Sequence, residues 1–199
     1  MPVFFEKKFR GKYRVPSARL KDFDYSSNGV YYVTICTYNR FDYFGRIVNQ
    51  RMELSEEGKM ARAMWRIIPN IFPFVKLDEF NVMPDHIHGI IIIDKRRDAM
   101  GNGRDAINRV STMPDMTGRG GITKRKNPML NKYSLSRIIR WFKGRTKFEI
   151  NKLSPINNFL WQERFYEHII RNDEELDKIR KYIKYNALHH SSKKQAYPL

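Results

Sequence analysis

The chain is poor in several things, and each shortage excludes something. It has a single cysteine, Cys36, among 199 residues. That rules out a disulfide framework within the chain and any zinc site built from several thiolates. No run of about 18 apolar residues occurs, so the sequence offers no membrane-spanning helix. The opening MPVFFEKKFRGKYR is charged from residue 6 onward and lacks the apolar stretch of a secretory signal, which makes the cytoplasm the default expectation. There is no Gly-rich phosphate loop and no internal repeat. Acidic residues are scarce beside basic ones: Asp plus Glu is 21 against 38 for Lys plus Arg, a formal net charge of +17. Such an excess points to a polyanionic partner, and nucleic-acid phosphate is the commonest. An anionic membrane surface fits less well, because no basic amphipathic helix stands out as a membrane binder.

What is present describes a folded domain. Hydrophobic residues make up 41% and aromatics 14% of the chain, and the length suits one domain over 1–199. Residues 1–29 are basic and aromatic with little periodicity and read as an arm. Val30–Thr37 (VYYVTICT) reads as a strand, and Phe44–Met52 as a shorter one. Ser55 caps an expected helix from Glu56 to about Ile68, ended by Pro69 and Pro73. Leu77–Met83 and His86–Asp94 are strands about a Pro84-Asp85 turn, and the apolar HIHGIIIID is expected to lie centrally in the sheet. Residues 96–128 break the pattern with 5 of the 11 glycines, two prolines, eight basic and three acidic residues. This insertion is either a solvated loop or a flap that touches DNA. Ser134 caps a basic helix from Leu135 to about Ile150. Residues 159–171 are a strand or extended segment. Asn172 and Glu175 mark the start of a last helix, to about Leu188, followed by a polar tail over 189–199. Strands arranged partly in hairpins, with few helices, give an α+β class: an antiparallel sheet with helices packed mainly on one face.

Two places carry chemistry. In His86-Ile87-His88, strand alternation sends both imidazoles to one face, about 6.5 Å apart along the backbone, and Ile87 to the other. Two neutral imidazoles so placed suit one divalent ion, although the H-x-H pattern alone is weak. In the last helix Tyr182 and Asn186 share a face, and Leu176, Ile179 and Ile183 form an adjoining apolar stripe. An Asn186 amide oxygen beside the histidines would be a third ligand, and Tyr182 a nucleophile one turn away. Spacing alone favours the plainer reading, with Tyr182 an interface residue and Asn186 a helix end. Tyr185 is a competing tyrosine.

Four segments in order, MPDHIHGII, SLSRIIRWFK, WQERFYEHIIRN and YIKYN, resemble the REP-associated tyrosine transposases, which are single-tyrosine HUH transposases. The resemblance covers roughly residues 14–188. It implies a ferredoxin-like α+β sandwich, Mg²⁺ or Mn²⁺ held by His86, His88 and Asn186, and Tyr182 as the nucleophile. It further implies a 5′-phosphotyrosine intermediate and a free 3′-hydroxyl. The expected substrates are single strands carrying imperfect palindromes or hairpins, and the expected assembly is a monomer or a homodimer. The family often has proline after the asparagine, where this chain has Ala187. Arg137, Arg140 and Lys143 are candidate phosphate contacts. Trp141 and Trp161 either stack on bases or sit in the core, and His168 either lies near the site or is structural. The competing functions are a domesticated hairpin-binding protein that does not cleave, and a metal-dependent hydrolase without a tyrosyl intermediate. The hydrolase is weakened by the absence of H-E-x-x-H.

Overall fold

The computed structural model describes residues 24–97, 131–153 and 158–189, and of 8–9, 12–13 and 188–189 the backbone only. Strands β1 (Lys8–Phe9) and β2 (Lys12–Tyr13) pair as a short antiparallel ladder. The domain is built on β3 (Gly29–Cys36), β6 (Val75–Met83), β7 (His86–Ile93) and β8 (Tyr166–Ile170). They form one sheet in the order β6-β7-β3-β8, every neighbouring pair antiparallel. Helix α1 (Glu56–Arg66) and the short α2 (Ile68–Ile71) connect β3 to β6, and α3 (Leu135–Leu153) precedes β8. This is the β-α-β-β-α-β order of a ferredoxin-like sandwich, as expected.

The two faces of the sheet differ. Tyr31, Val33 and Ile35 of β3 and Ile87 and Ile91 of β7 are fully buried in the larger core, with Trp65 of α1 and Ile138, Ile139 and Phe142 of α3. Gly89 of β7 makes room there: a Cβ on it would lie 2.3 Å from Trp65 Cζ2. The opposite face is covered by α4 (Asp173–His189), whose Leu176, Ile179 and Ile183 pack on Val30, Tyr32, Ile90, Ile92 and Ile170. The helices thus lie mainly on one face, and the exception is the helix that carries Tyr182.

Several local expectations sharpen. The single strand expected over Phe44–Met52 is a hairpin of β4 (Gly45–Val48) and β5 (Arg51–Leu54). Its two-residue turn, Asn49-Gln50, has φ of 48° and 62°, the left-handed pair a tight hairpin requires. Ser55 caps α1, its side chain accepting from Gly58 N. Pro69 falls within the first turn of α2, where a missing N–H costs nothing, so it opens a helix where it was expected to help end one. In the 159–171 segment Trp161 bridges Thr37 before β8 begins. Asn172 Oδ1 accepts from Glu175 N at 2.8 Å, the expected cap of α4. Of the arm, Tyr25 and Ser26 are buried, and Leu135 N donates to Tyr25 O at 3.1 Å. The insertion beyond Arg97 and the tail beyond His189 lie outside the described residues. Among the described residues no helix is long and apolar enough to cross a membrane.

Candidate active site

Register on the central strands sets the first half of the site. Tyr32, Thr34 and Cys36 alternate onto one face of β3, and Thr34 and Cys36 are paired with His88 and His86 of β7. Both histidines are buried, at 4% exposure for His86 and 1% for His88, and their Nε2 atoms approach to 2.7 Å. The outer nitrogens are held from behind. His86 Nδ1 lies 2.5 Å from Asp85 Oδ1. His88 Nδ1 lies 2.7 Å from the Tyr32 hydroxyl and 2.9 Å from Thr34 Oγ1. Asp85 in turn is paired through Oδ2 with Arg40 Nε at 2.7 Å.

Helix α4 brings the second half. Its apolar stripe fixes its rotation, and two polar ties fix its slide along β6. Arg180 grips Asp78 with Nε to Oδ1 at 2.9 Å and Nη2 to Oδ2 at 2.6 Å, and Asn81 Nδ2 donates to Ile183 O at 3.3 Å. In this register the Tyr182 ring meets His88 edge-on, 5.4 Å between centroids, and Tyr32 at 6.4 Å. The Tyr182 hydroxyl has the Asn186 side chain and the Tyr32 hydroxyl as its polar neighbours. Burial pushes the Tyr182 phenol above its ordinary pKa. The hydrogen bonds with Asn186 and Tyr32 and the positive charge of Arg40 pull the other way. Asn186 is buried, whereas Tyr182 keeps 45% of its surface exposed, so solvent and a ligand can reach it. Tyr185 has its ring under Lys184 Nζ, 5.7 Å from the centroid, and is 45% exposed.

The four residues singled out by the sequence therefore meet. The donor set fits a hard or borderline divalent ion. With Nδ1–H donating to Asp85, His86 would keep a lone pair on Nε2, and the two Nε2 atoms converge. Among the described residues no third His, Cys, Asp or Glu joins them, so the remaining protein ligand would be the Asn186 amide oxygen.

The other candidates lie elsewhere. Arg137, Arg140 and Lys143 are on α3, in the layer on the opposite face of the sheet. The Lys143 ammonium is engaged by Gln162 O at 2.6 Å and Glu163 O at 3.0 Å, and burial lowers its pKa. Trp161 donates Nε1 to Lys143 O at 3.1 Å and packs among Phe44, Phe142 and Phe159; with Trp141 it belongs to the core. His168 is paired with Tyr32 across the ladder, on the site's face, but its imidazole binds Glu175 Oε1 at 2.7 Å and ties β8 to the start of α4. Tyr32, Thr34, Asp85 and Arg40 are absent from the sequence-level candidates. Period-two alternation from Tyr32 to Cys36 and the position of Asp85 next to His86 were available signals. Arg40, on a loop, had none.

Known proteins bear on this geometry. A Haemophilus influenzae protein described as uncharacterised is 34% identical over 172 residues, 86% of this chain and 87% of its own length. A solved structure, described as the REP-associated tyrosine transposase bound to a REP hairpin, has the same fold. Its TM-score is 0.53 at 19% identity, covering 91% of this chain and 78% of that one. The pattern of the family described as "Transposase IS200 like" matches residues 128–186. The chain belongs to the IS200-like transposase family. The matched span of this IS200-like chain contains α3, β8, Tyr182 and Asn186, while the histidine pair lies outside it on β7. The histidines are thus placed beside the Tyr182 helix by the fold.

Proposed function

We propose that this IS200-like transposase cleaves and rejoins single-stranded DNA carrying imperfect hairpins, as a REP-associated tyrosine transposase does, through a 5′-phosphotyrosine on Tyr182. The observation that carries the reading is the junction of two distant segments. The Tyr182 ring of α4 meets His88 at 5.4 Å and Tyr32 at 6.4 Å between centroids, and His88 is hydrogen-bonded to Tyr32 and faces His86 at 2.7 Å. An interface tyrosine would need no such company.

The residues divide the work. Tyr182 Oη attacks the scissile phosphorus; the Oη–P bond forms as the P–O3′ bond breaks, leaving a 3′-hydroxyl. Attack by a 3′-hydroxyl on the phosphotyrosine reverses the step, so no nucleotide cofactor is consumed. Tyr32 and Asn186 hold the phenol in place, and the field of Arg40 favours its ionised form. His86, His88 and Asn186 would hold Mg²⁺ or Mn²⁺, which when bound supplies Lewis-acid polarisation of a phosphoryl oxygen. One chain supplies all four groups, which supports a monomer as the working unit over a homodimer that shares sites. The net charge of +17 and the hairpin held by the structural neighbour support a DNA hairpin as partner. Such a substrate would place the protein at the chromosomal DNA of the cytoplasm.

Labelled hairpin-bearing single strands incubated with Mn²⁺ should give a protein–DNA adduct that survives denaturation. The adduct should vanish in Tyr182→Phe and with chelator. Loss in Tyr185→Phe but not Tyr182→Phe would move the nucleophile. Tight binding with neither adduct nor cleavage in the wild type would leave a hairpin-binding protein and sink the catalytic reading.

A further inference from the structure

Behind His86 stands a chain of groups, Asp85 and Arg40, that make and break no bond in the proposed reaction. Asp85 is only 7% exposed, yet both its oxygens are committed: Oδ1 to His86 Nδ1 at 2.5 Å and Oδ2 to Arg40 Nε at 2.7 Å. The backbone around it is tied down as well. Asp85 O accepts from Thr37 N at 2.9 Å, Pro84 O accepts from Phe44 N at 2.9 Å, and Thr37 Oγ1 lies 2.9 Å from Asp85 O. Arg40 comes from the loop after β3, where Asn39 and Arg40 hold φ of 51° and 59°, a region L residues rarely adopt. That turn is closed by Arg40 N to Thr37 O at 3.2 Å and Thr37 Oγ1 to Phe41 O at 2.8 Å. Arg40 also donates Nη1 to Cys36 Sγ at 2.8 Å, so its guanidinium is anchored at both ends. Backbone in an unfavourable region that is over-determined by hydrogen bonds marks a place where side-chain position matters.

A carboxylate sealing a turn needs only the arginine. Here the second oxygen is directed at the outer nitrogen of a histidine whose inner nitrogen faces His88. We propose that Asp85 and Arg40 form a positioning relay that fixes His86 in the tautomer with its Nε2 lone pair toward His88, and so sets the affinity of the chain for a divalent cation. Asp85 accepts the Nδ1 proton and aims the ring; Arg40, its side chain 38% exposed, aims Asp85 and offsets the charge of that mostly buried carboxylate. Carboxylates in this position behind a ligand histidine orient the ring and raise its basicity. The inference rests on the metal reading of His86 and His88 given above.

The test is a Mn²⁺ titration of the full chain without DNA, with free Mn²⁺ counted by electron paramagnetic resonance. Asp85→Asn keeps size and backbone but offers an amide, and should weaken Mn²⁺ binding about 10- to 100-fold. Arg40→Gln should weaken it less, and Arg40→Lys should recover part of the Arg40→Gln loss. In the double variant Asp85→Asn, Arg40→Gln, the arginine change should add less than about twofold, because Arg40 acts through Asp85. Ring ¹⁵N shifts of His86 should report the Nδ1–H tautomer in the wild type and a mixture in Asp85→Asn, read at a temperature where circular dichroism shows the variant folded. Wild-type affinity in Asp85→Asn together with an unchanged His86 tautomer overturns the relay. A full additional Arg40→Gln loss in the double variant overturns the role of Arg40. If Mn²⁺ binding is absent from the wild type, or survives His88→Ala unchanged, the metal site itself fails and the relay with it. Loss in His88→Ala with none in Asp85→Asn removes the relay alone.

Discussion

The tie between Asp78 and Arg180 is the charged one of the two polar contacts that fix how far the Tyr182 helix slides along the sheet, and its worth can be bounded. Asp78 lies where the β6 ladder with β7 slips register between Leu77 and Phe80. Its side chain is 12% exposed and that of Arg180 is 39% exposed. Two charge-assisted bonds in a dry site would give about 1.5–3 kcal/mol each, and a fully exposed pair about 0–1 kcal/mol in total. With the arginine more than a third in solvent, the pair is worth about 1–2 kcal/mol. Arg180→Met, which keeps the aliphatic stem, should then lower Tm by about 2–8 °C. The pH dependence has a definite sign. Hydrogen bonds from Arg180 hold the Asp78 carboxyl below its ordinary pKa, and burial opposes them. A depressed carboxyl stabilises the fold above its unfolded pKa, about 3.9, and that stabilisation is lost as pH falls through the lower folded value. Urea midpoints of wild type and Asp78→Asn should differ fully at pH 7 and converge below about pH 4. Because Tyr182 follows Arg180 by two residues, the rate of adduct formation at 25 °C, where both proteins stay folded, should fall about tenfold or more in Arg180→Met. Equal urea midpoints at pH 7, or a gap that widens on acidification, would refute the reasoning.

Three further outcomes follow from the same geometry. Gly89→Ala puts a Cβ 2.3 Å from Trp65 Cζ2, and the ring is boxed by Phe80 at 6.0 Å and Phe142 at 5.1 Å; a loss of about 3 kcal/mol in chemical denaturation is expected, partly restored by adding Trp65→Phe. An unchanged midpoint would contradict this. Tyr32→Phe removes the hydroxyl shared by His88, Thr34 and Tyr182, and should slow adduct formation about 10- to 100-fold with little change in melting; an unaltered rate would deny Tyr32 its place. Binding of hairpin DNA should weaken by about 10³- to 10⁵-fold between about 50 and 200 mM salt if roughly six to ten phosphates are contacted, and a flat response would undo the reading of the basic charge.

The parts of the fold legible in the sequence are those governed by short-range rules. Alternation in VYYVTIC and HIHGIIII places the central strands and gives Ile87 and His88 their opposite faces. Ser55 and Asn172 announce their helices because an N-cap is a local hydrogen bond. The β4–β5 turn was missed because Asn49-Gln50 lacks the glycine that usually signals paired left-handed residues. At the site, His86 and His88 needed only alternation, whereas placing Tyr182 beside them depends on which face of the sheet α4 covers. Helical spacing identifies an apolar stripe but not the surface it meets. Arg40 was illegible for a related reason: its role depends on a left-handed loop after β3 reaching a turn after β6, a contact with no local pattern.

The two halves of the site rest on unequal foundations. The histidines, Tyr32 and Thr34 sit on β3 and β7, the central strands, whose other face is sealed by a core holding Trp65, Phe142, Tyr31, Ile35, Ile87 and Ile91. Helix α4 is held by a cluster with three buried members, Ile90, Ile170 and Ile183, flanked by Val30, Tyr32, Ile92, Leu176 and Ile179. Full burial of one such isoleucine is worth about 1.5–3 kcal/mol, so the docking of α4 rests on a few side chains, the Asp78–Arg180 pair and the ties from Asn81 and His168. Displacing the helix therefore costs far less than unfolding the sheet. The histidines and their supports would keep their geometry in such an excursion, while Tyr182 and Asn186 would move together, since they share one face of one helix. A tyrosine that, on the proposed mechanism, carries a DNA end away from the cleavage point and returns it for rejoining is well served by that division. The fixed groups belong to the sheet, and the group that would bond to DNA belongs to a helix more cheaply moved than the sheet.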